Sequence, residues 1–170
     1  MTISMHSASV PVFVRVLTAQ LAWLDKAQAH AEARKFSPDN YLALRLAPDM
    51  LPFTRQIQIA TDGAKGCVAR LAGLEVPKWD DNEASFDDLR ARLRKTIDYV
   101  QSIPAAQIDG SEGRDITITL RSGDVKFDGQ RYLEHWALPN FYFHVMTTYN
   151  LLRHAGVDLG KQDYLKGAAV

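Results

Sequence analysis

RYLEHWALPNFYFHVMTTYNLLRHAGVDLGKQDY, which spans residues 131–164, is the stretch of sequence that decides the fold. Positions on one side of it recur every three or four residues, which predicts a long helix beginning near Arg131. Pro139 either kinks this helix or marks a fresh start, and Gly156 is typical of the residue after a helix end. The positions that share this face are Phe141, His144, Thr148, Leu151 and Ala155.

Two helices with regular apolar stripes are predicted near the start of the chain. Helix one runs from Val10 to about Arg34, since a serine followed by a proline at residues 9–11 is a typical helix start. Helix two carries a stripe from Met50 to Leu71 that steps by three or four residues throughout. A stripe sustained over this length is typical of a helix in a bundle.

Helix three is predicted to begin after Ser85, because Ser85 and Asp88 have the spacing of a capping box. Its apolar face extends from Phe86 to Val100. Its other face carries Arg90, Arg92, Arg94 and Lys95. A run of charges is usually a solvated helix face, and Asp88 and Arg92 have the spacing of an ion pair within a helix.

The segment from Arg114 to Phe127 changes period, because apolar and polar residues alternate there in the pattern of strands. A turn at Ser122 and Gly123 interrupts the alternation, which predicts a β-hairpin. The pattern therefore predicts an all-α fold, a four-helix bundle with a small β-hairpin between helices three and four, formed as a single domain over residues 1–170. The long connection between these two helices allows a crossover.

Composition narrows the class of protein. The 170 residues are enough for one domain with a sizeable core. Twenty basic and twenty acidic side chains cancel, so we expect no nucleic-acid partner and no membrane partner. A single cysteine, Cys67, suggests a reducing compartment. The N-terminal residues do not fit a signal peptide and no stretch is apolar enough to span a bilayer, so a cytoplasmic location is expected.

Two segments, LAPDMLPFTRQIQIA (residues 46–60) and LPNFYFHVMTTYNLLRHAGVDLGKQDYL (residues 138–165), are long and distinctive. Together with the order of helices and the β insertion before the last one, they resemble the DinB/YfiT-like superfamily. Within it they look like the bacterial branch known as the DUF1993 domain of unknown function. The resemblance covers nearly the whole chain and implies a DinB-like four-helix bundle, but the branch name carries no activity.

The superfamily resemblance implies a divalent metal site with one histidine from helix two and two from helix four. When the Leu-Arg-x-x-Gly ending at residues 152–156 is matched to the superfamily, the second of those two histidines falls on His144 and the first on Asn140. Helix two contains no histidine at all. An amide oxygen and one imidazole are a poor transition-metal site. We therefore predict no metal and no cofactor, and the pattern suggests a degenerate metal site.

His144 has three open interpretations: a hydrogen-bonded core histidine, a pocket residue or a metal ligand. A buried imidazole needs one of these because an unpaired polar group in a core costs several kcal/mol. Asn140 and Asp49 are either pocket residues or caps at helix starts. Gln56 could border the pocket, although exposure to solvent is the expected state of its side chain. The predicted ligand-binding residues are His144, Asn140, Tyr149, Gln56 and Asp49.

Three functions remain open at this stage. The first is a bundle that has lost the metal site and binds a small molecule or forms a homodimer, with Asn140, His144 and Tyr149 near the pocket. The second is a metal-dependent enzyme of the thiol-transfer type with a rearranged site. The third is a structural or stress-associated dimer without a ligand. We expect the first, with a homodimer formed through helices that carry exposed aromatic side chains.

Overall fold

The computed structural model describes residues 3–165 and is built around four long helices. The first three are α1 (Val10–Ala33), α2 (Phe53–Leu71) and α3 (Phe86–Ser102). The fourth is continuous and has three parts: α5 (Gly129–Arg131), a π-helical segment (Tyr132–Ala137) and α6 (Leu138–His154). Short elements connect or follow them: a 3-10 turn (Pro38–Tyr41), α4 (Ala105–Ile108) and α7 (Lys161–Leu165).

The predicted hairpin is confirmed between helices three and four. Strand β1 (Ile116–Leu120) pairs antiparallel with β2 (Gly123–Phe127), from Ile116 opposite Phe127 to Leu120 opposite Gly123. This register leaves a two-residue turn, and Gly123 adopts a φ of 119°, a conformation that favours glycine. The all-α bundle with one small hairpin is therefore the observed fold, while residues 1–2 and 166–170 of the predicted domain lie outside the described residues.

The helices pack in a ring in which α2 lies between α3 and α6, and α1 closes the ring between the same two helices. Helices α1 and α2, which follow each other in sequence, are therefore diagonal neighbours. The ring of Phe13 on α1 meets that of Phe141 on α6 edge to face, with centroids 4.9 Å apart, and both side chains are fully buried. This contact is part of a continuous apolar core shared by all four helices.

Local signals account for where the helices begin. The Ser85 side chain accepts a hydrogen bond from the backbone N–H of Asp88, and Asp88 in turn accepts one from Ala84, which confirms the predicted cap of α3. Helix α2 starts at Phe53, three residues later than predicted, with Pro52 before it. Because residues 44–52 form an irregular connection with a turn at residues 48–49, Met50 does not belong to the helix.

The final helix passes through Pro139 without a break, so Pro139 does not start a new helix. Immediately before it, the backbone N–H of Leu138 donates to the carbonyl of Leu133, five residues earlier, as in a π-helix. Proline lacks an N–H and crowds the preceding turn of an α-helix. The wider π turn upstream of Pro139 accommodates this, which explains why the helix continues.

The prediction of a solvated basic face on α3 is wrong for Arg90 and Arg92, which are both buried. The side chain of Arg92 is 3% exposed and is surrounded by the carboxylates of Asp62, Asp81 and Glu83 at 2.8–3.0 Å. Its Nε also donates to Thr61 at 2.8 Å, whereas Asp88 caps the helix instead of pairing with Arg92. The acidic loop at residues 80–83 folds over the arginine, and a buried charge is tolerated because it is paired on all sides. No helix within residues 3–165 has the length and apolar character needed to cross a membrane.

Candidate functional site

His144 lies on the buried side of α6 and faces α2. Its neighbours along this face of the helix, Phe141, Val145 and Thr148, are buried as well, which is why the helical period places the imidazole inside. The residue is 8% exposed. A polar ring in such a position needs a partner, and the partner comes from the neighbouring helix.

That partner is Gln56, in the first turns of α2. Nδ1 of His144 lies 2.7 Å from Oε1 of Gln56. The amide group of Gln56 donates through its Nε2 to the carbonyl of Leu51 at 2.8 Å, which fixes the amide with its oxygen toward the imidazole. Since an amide oxygen only accepts, Nδ1 carries the hydrogen and donates it. The expectation that Gln56 is exposed is wrong, because the residue is 1% exposed and both polar atoms of its amide are hydrogen-bonded.

The second ring nitrogen of His144, Nε2, has no hydrogen-bond partner among the described residues. It is not one of the fully enclosed polar atoms without a partner, so solvent reaches it. Burial lowers the pKa of His144 from its ordinary value near 6.5, because removing the ring from water disfavours its charged form. The imidazole is therefore neutral at pH 7 and presents a lone pair at Nε2 to the outside.

Asn140 lies one turn before His144 on the same side of α6. Its Nδ2 comes within 3.9 Å of the position that a Cβ atom would occupy at Gly63 of α2, and its side chain has no hydrogen bond to another described residue. The residue is half-buried, so its amide is open to solvent. Asn140 is not a helix cap, because the helix runs without interruption through residues 129–154.

Two exposed apolar side chains flank the pair formed by Gln56 and His144. Phe143 is 58% exposed and its ring meets that of His144 edge to face, with centroids 5.2 Å apart. Leu51, whose carbonyl accepts the bond from Gln56, is 45% exposed. Large apolar side chains that remain exposed together often mark an interaction surface. We call Leu51, Gln56, Asn140, Phe143 and His144 the α2/α6 site.

The other two predicted residues lie elsewhere. Tyr149 faces α1, where its ring meets that of Trp23 edge to face at 5.5 Å and its hydroxyl lies 3.5 Å from the carbonyl of Leu159. It is five residues after His144 and therefore on a different side of the helix. Asp49 is exposed in the turns before α2 and does not cap this helix, whose start at Pro52 has no side-chain cap.

The residues of the α2/α6 site do not fit the metal centre that the resemblance implies. Both polar atoms of the Gln56 amide are already engaged, the oxygen with His144 and the nitrogen with Leu51, so Gln56 is a poor metal ligand. Nε2 of His144 and the amide of Asn140 remain, and zinc requires three or four nitrogen, sulfur or carboxylate ligands. Within residues 3–165, no three or more His, Cys, Asp or Glu side chains are grouped so that they could hold a metal ion.

Comparisons with known proteins agree with the fold. A family model described as a domain of unknown function (DUF1993) matches residues 5–165. The chain is also similar to the crystal structure of a DinB family member protein from Shewanella denitrificans, with 37% sequence identity and a TM-score of 0.86. The match covers 94% of this chain and 90% of that one. No curated protein matches the sequence.

Proposed function

We propose, from the premise that this chain belongs to the DUF1993 branch of the DinB-like superfamily, that it binds a small molecule through a neutral His144 and without a metal. The observation that carries the proposal is the hydrogen bond from Nδ1 of His144 to Gln56. This bond fixes the tautomer and orients the ring, so the lone pair of Nε2 has a defined direction before any ligand arrives. A preoriented group loses less entropy on binding than a free one.

The surroundings of Nε2 favour one class of ligand. A neutral Nε2 accepts a hydrogen bond, so the ligand carries an O–H or N–H group. The amide of Asn140 supplies one further donor or acceptor, and Phe143 and Leu51 offer apolar surface beside it. We expect an uncharged molecule with a hydroxyl or amide group next to an apolar body.

A fragment screen followed by NMR of ¹⁵N-histidine-labelled protein tests this proposal. We expect uncharged fragments with an O–H or N–H donor to shift the Nε2 signal of His144, and binding to be lost in His144→Ala. The matched control is His154→Ala, which removes an exposed histidine at the end of the same helix and leaves binding unchanged. The ligand site would be refuted if fragments bound His144→Ala and the parent equally tightly. It would also be refuted if no fragment shifted the Nε2 signal of His144 in the parent.

A homodimer through the same face is the second candidate function. The observation that favours it is the exposure of Phe143 and Leu51, two large apolar side chains of the α2/α6 site. Sedimentation velocity should then show a dimer for the parent and a monomer for Phe143→Ser. The control is Leu74→Ser, which changes a 38% exposed leucine beyond the end of α2 and should leave the dimer intact. A monomeric parent would exclude this candidate while leaving the ligand site standing.

A further inference from the structure

An open hollow, separate from the α2/α6 site, lies at the end of the bundle where α1 and α6 end and α2 begins. Its volume is about 290 Å³, and most of its wall is apolar. The ring of Phe36, the ring of Tyr41 and the side chains of Leu44 and Ala155 form this wall. A hollow of this size lies at the lower end of the range of small-molecule sites.

Besides the hydroxyl of Tyr41, the polar side chains that line this hollow are those of His30, Arg34 and Asn40, and each of the three can offer an N–H group. Nδ1 of His30 lies 2.6 Å from the hydroxyl of Tyr41. With Tyr41 as donor, the phenol hydrogen finds an acceptor and the hydrogen of the imidazole resides on Nε2. Nε2 lies on the side of Gly156, 3.6 Å from where a Cβ atom of that residue would stand. It has no partner among the described residues and is not fully enclosed, so its N–H remains available.

The exposed Arg34, the residue directly after α1, supplies a positive charge without an ion pair within residues 3–165. The two nearest carboxylates in sequence are engaged elsewhere, since Glu32 accepts from Gln28 at 2.8 Å and Asp39 accepts from the backbone of Phe86 at 3.0 Å. Arg34 is close enough to the phenol of Tyr41 to lower its pKa, although burial has the larger effect and raises this pKa.

The backbone at the end of α1 shapes the hollow. Lys35 adopts a φ of 59°, the left-handed conformation that residues other than glycine rarely take. The turn is closed by the N–H of Phe36, which donates to the carbonyl of Ala31 at 3.0 Å. It brings the ring of Phe36 back against that of His30, with centroids 6.1 Å apart. The apolar wall and the donors therefore face the same space.

We propose that this hollow binds a small carboxylic acid with an apolar body, its carboxylate held by Arg34, His30 and the Asn40 amide. An anion accepts hydrogen bonds and donates none, which matches the guanidinium of Arg34, unpaired within residues 3–165, and the N–H groups of His30 and Asn40. The apolar body packs against Phe36, Tyr41 and Leu44. The volume limits the ligand to a single ring or a short chain. This site shares no residue with the α2/α6 site, so the two proposals stand or fall separately.

NMR titration of the full chain with benzoate tests the proposal at constant ionic strength. We expect benzoate to shift the amide signals of Phe36, Ala155 and Gly156 and the imidazole signal of His30. Benzyl alcohol, which keeps the ring without the charge, and acetate, which keeps the charge without the ring, should bind more weakly. Arg34→Gln should weaken benzoate binding at least about fivefold, because a charge-assisted hydrogen bond is lost.

The control is Arg94→Gln, which removes an exposed arginine of α3 that does not line the hollow and should leave benzoate binding unchanged. Basic residues in the last turn of a helix also stabilise it against its own dipole. If Arg34→Gln lowers the stability of the protein but binds benzoate as tightly as the parent, Arg34 only stabilises the helix end and the proposal is wrong. Equal binding of benzyl alcohol and benzoate, or no shift at these signals, would overturn it as well.

Discussion

Gln56 on α2 accepts the Nδ1–H of His144 on α6 at 2.7 Å, across a sequence separation of 88 residues. The bond lies at the contact between two helices that form neighbouring sides of the bundle. It joins the packing of the core to the candidate site, because the residue that orients the imidazole is also buried. Changes at this pair therefore alter stability and binding together.

A double-mutant cycle measures the contribution of this pair. His144→Ala leaves a cavity and an unpaired amide oxygen, so we expect the free energy of unfolding to fall by about 2–4 kcal/mol in urea denaturation. Gln56→Ala should also destabilise the protein. The double variant should lose less than the sum of the two, by about 1 kcal/mol, since a neutral buried hydrogen bond contributes about that much. Additive losses, or an unchanged midpoint for His144→Ala, would contradict the assigned bond.

Stability should depend on pH through His144. Because burial lowers its pKa in the folded protein, the unfolded chain binds a proton more readily, and stability falls as pH decreases below about 6.5. The slope from one such group stays below about 1.4 kcal/mol per pH unit. Urea denaturation at pH 7.5 and 5.5 should show a larger loss for the parent than for His144→Gln. His154→Gln, which changes an exposed histidine, is the control. Between pH 7.5 and 5.5 it should lose as much stability as the parent does.

Metal analysis separates this chain from a metal-dependent enzyme. Protein expressed in medium supplemented with zinc and nickel should contain well below one equivalent of either metal, because one free imidazole nitrogen and one amide cannot complete a coordination sphere. Mass spectrometry of the purified protein measures the number of metal equivalents bound per chain. Near one equivalent that survives mild chelation and vanishes in His144→Ala would show that the site is rearranged around a metal.

Gln20 on α1 is 1% exposed, and neither polar atom of its amide has a hydrogen-bond partner in the described part of the chain. Burial removes the Gln20 amide from water, and no hydrogen bond from the described residues makes up for this loss. Gln20→Met, which keeps the length of the side chain, should therefore raise the free energy of unfolding by about 1–3 kcal/mol. The same substitution at Gln56 serves as the matched control and should lower stability, because that amide is fully bonded. A loss at both positions would mean that the amide of Gln20 has a hydrogen-bond partner, such as an internal water.

Cys67 should be inert in the native protein. It is fully buried, and burial raises the pKa of its thiol well above the ordinary value despite the proximity of Arg70. Labelling with a chromogenic disulfide reagent should therefore proceed only as fast as the protein opens, and should become rapid in urea. Fast stoichiometric labelling of the native protein would contradict the packing of α2.

The sequence allowed the four helices and the hairpin to be predicted because each depends on local periodicity and turn residues. The partner of His144 could not be predicted, since Gln56 borders an apolar stripe and such a position is compatible with either exposure or burial. Gln56 is buried because α6 packs over it and supplies His144, which comes 88 residues later in the chain. The burial of Arg92 could not be predicted either, because the acidic side chains that cover it lie in the loop before α3 and a helical pattern does not show how a loop folds.

The π-helical segment at residues 132–137 has a consequence for how the final helix tolerates insertions and deletions. A π turn holds one residue more than an α turn, so it acts as a phase shift of about 100° between the two halves of the helix. Tyr132, whose ring meets that of Phe127 in the hairpin, and His144, which faces α2, follow separate registers. Removal of exposed Glu134 should restore a uniform α-helix only by rotating one half relative to the other. Length changes in this segment thus reorient the α2/α6 site even though none of its residues is altered.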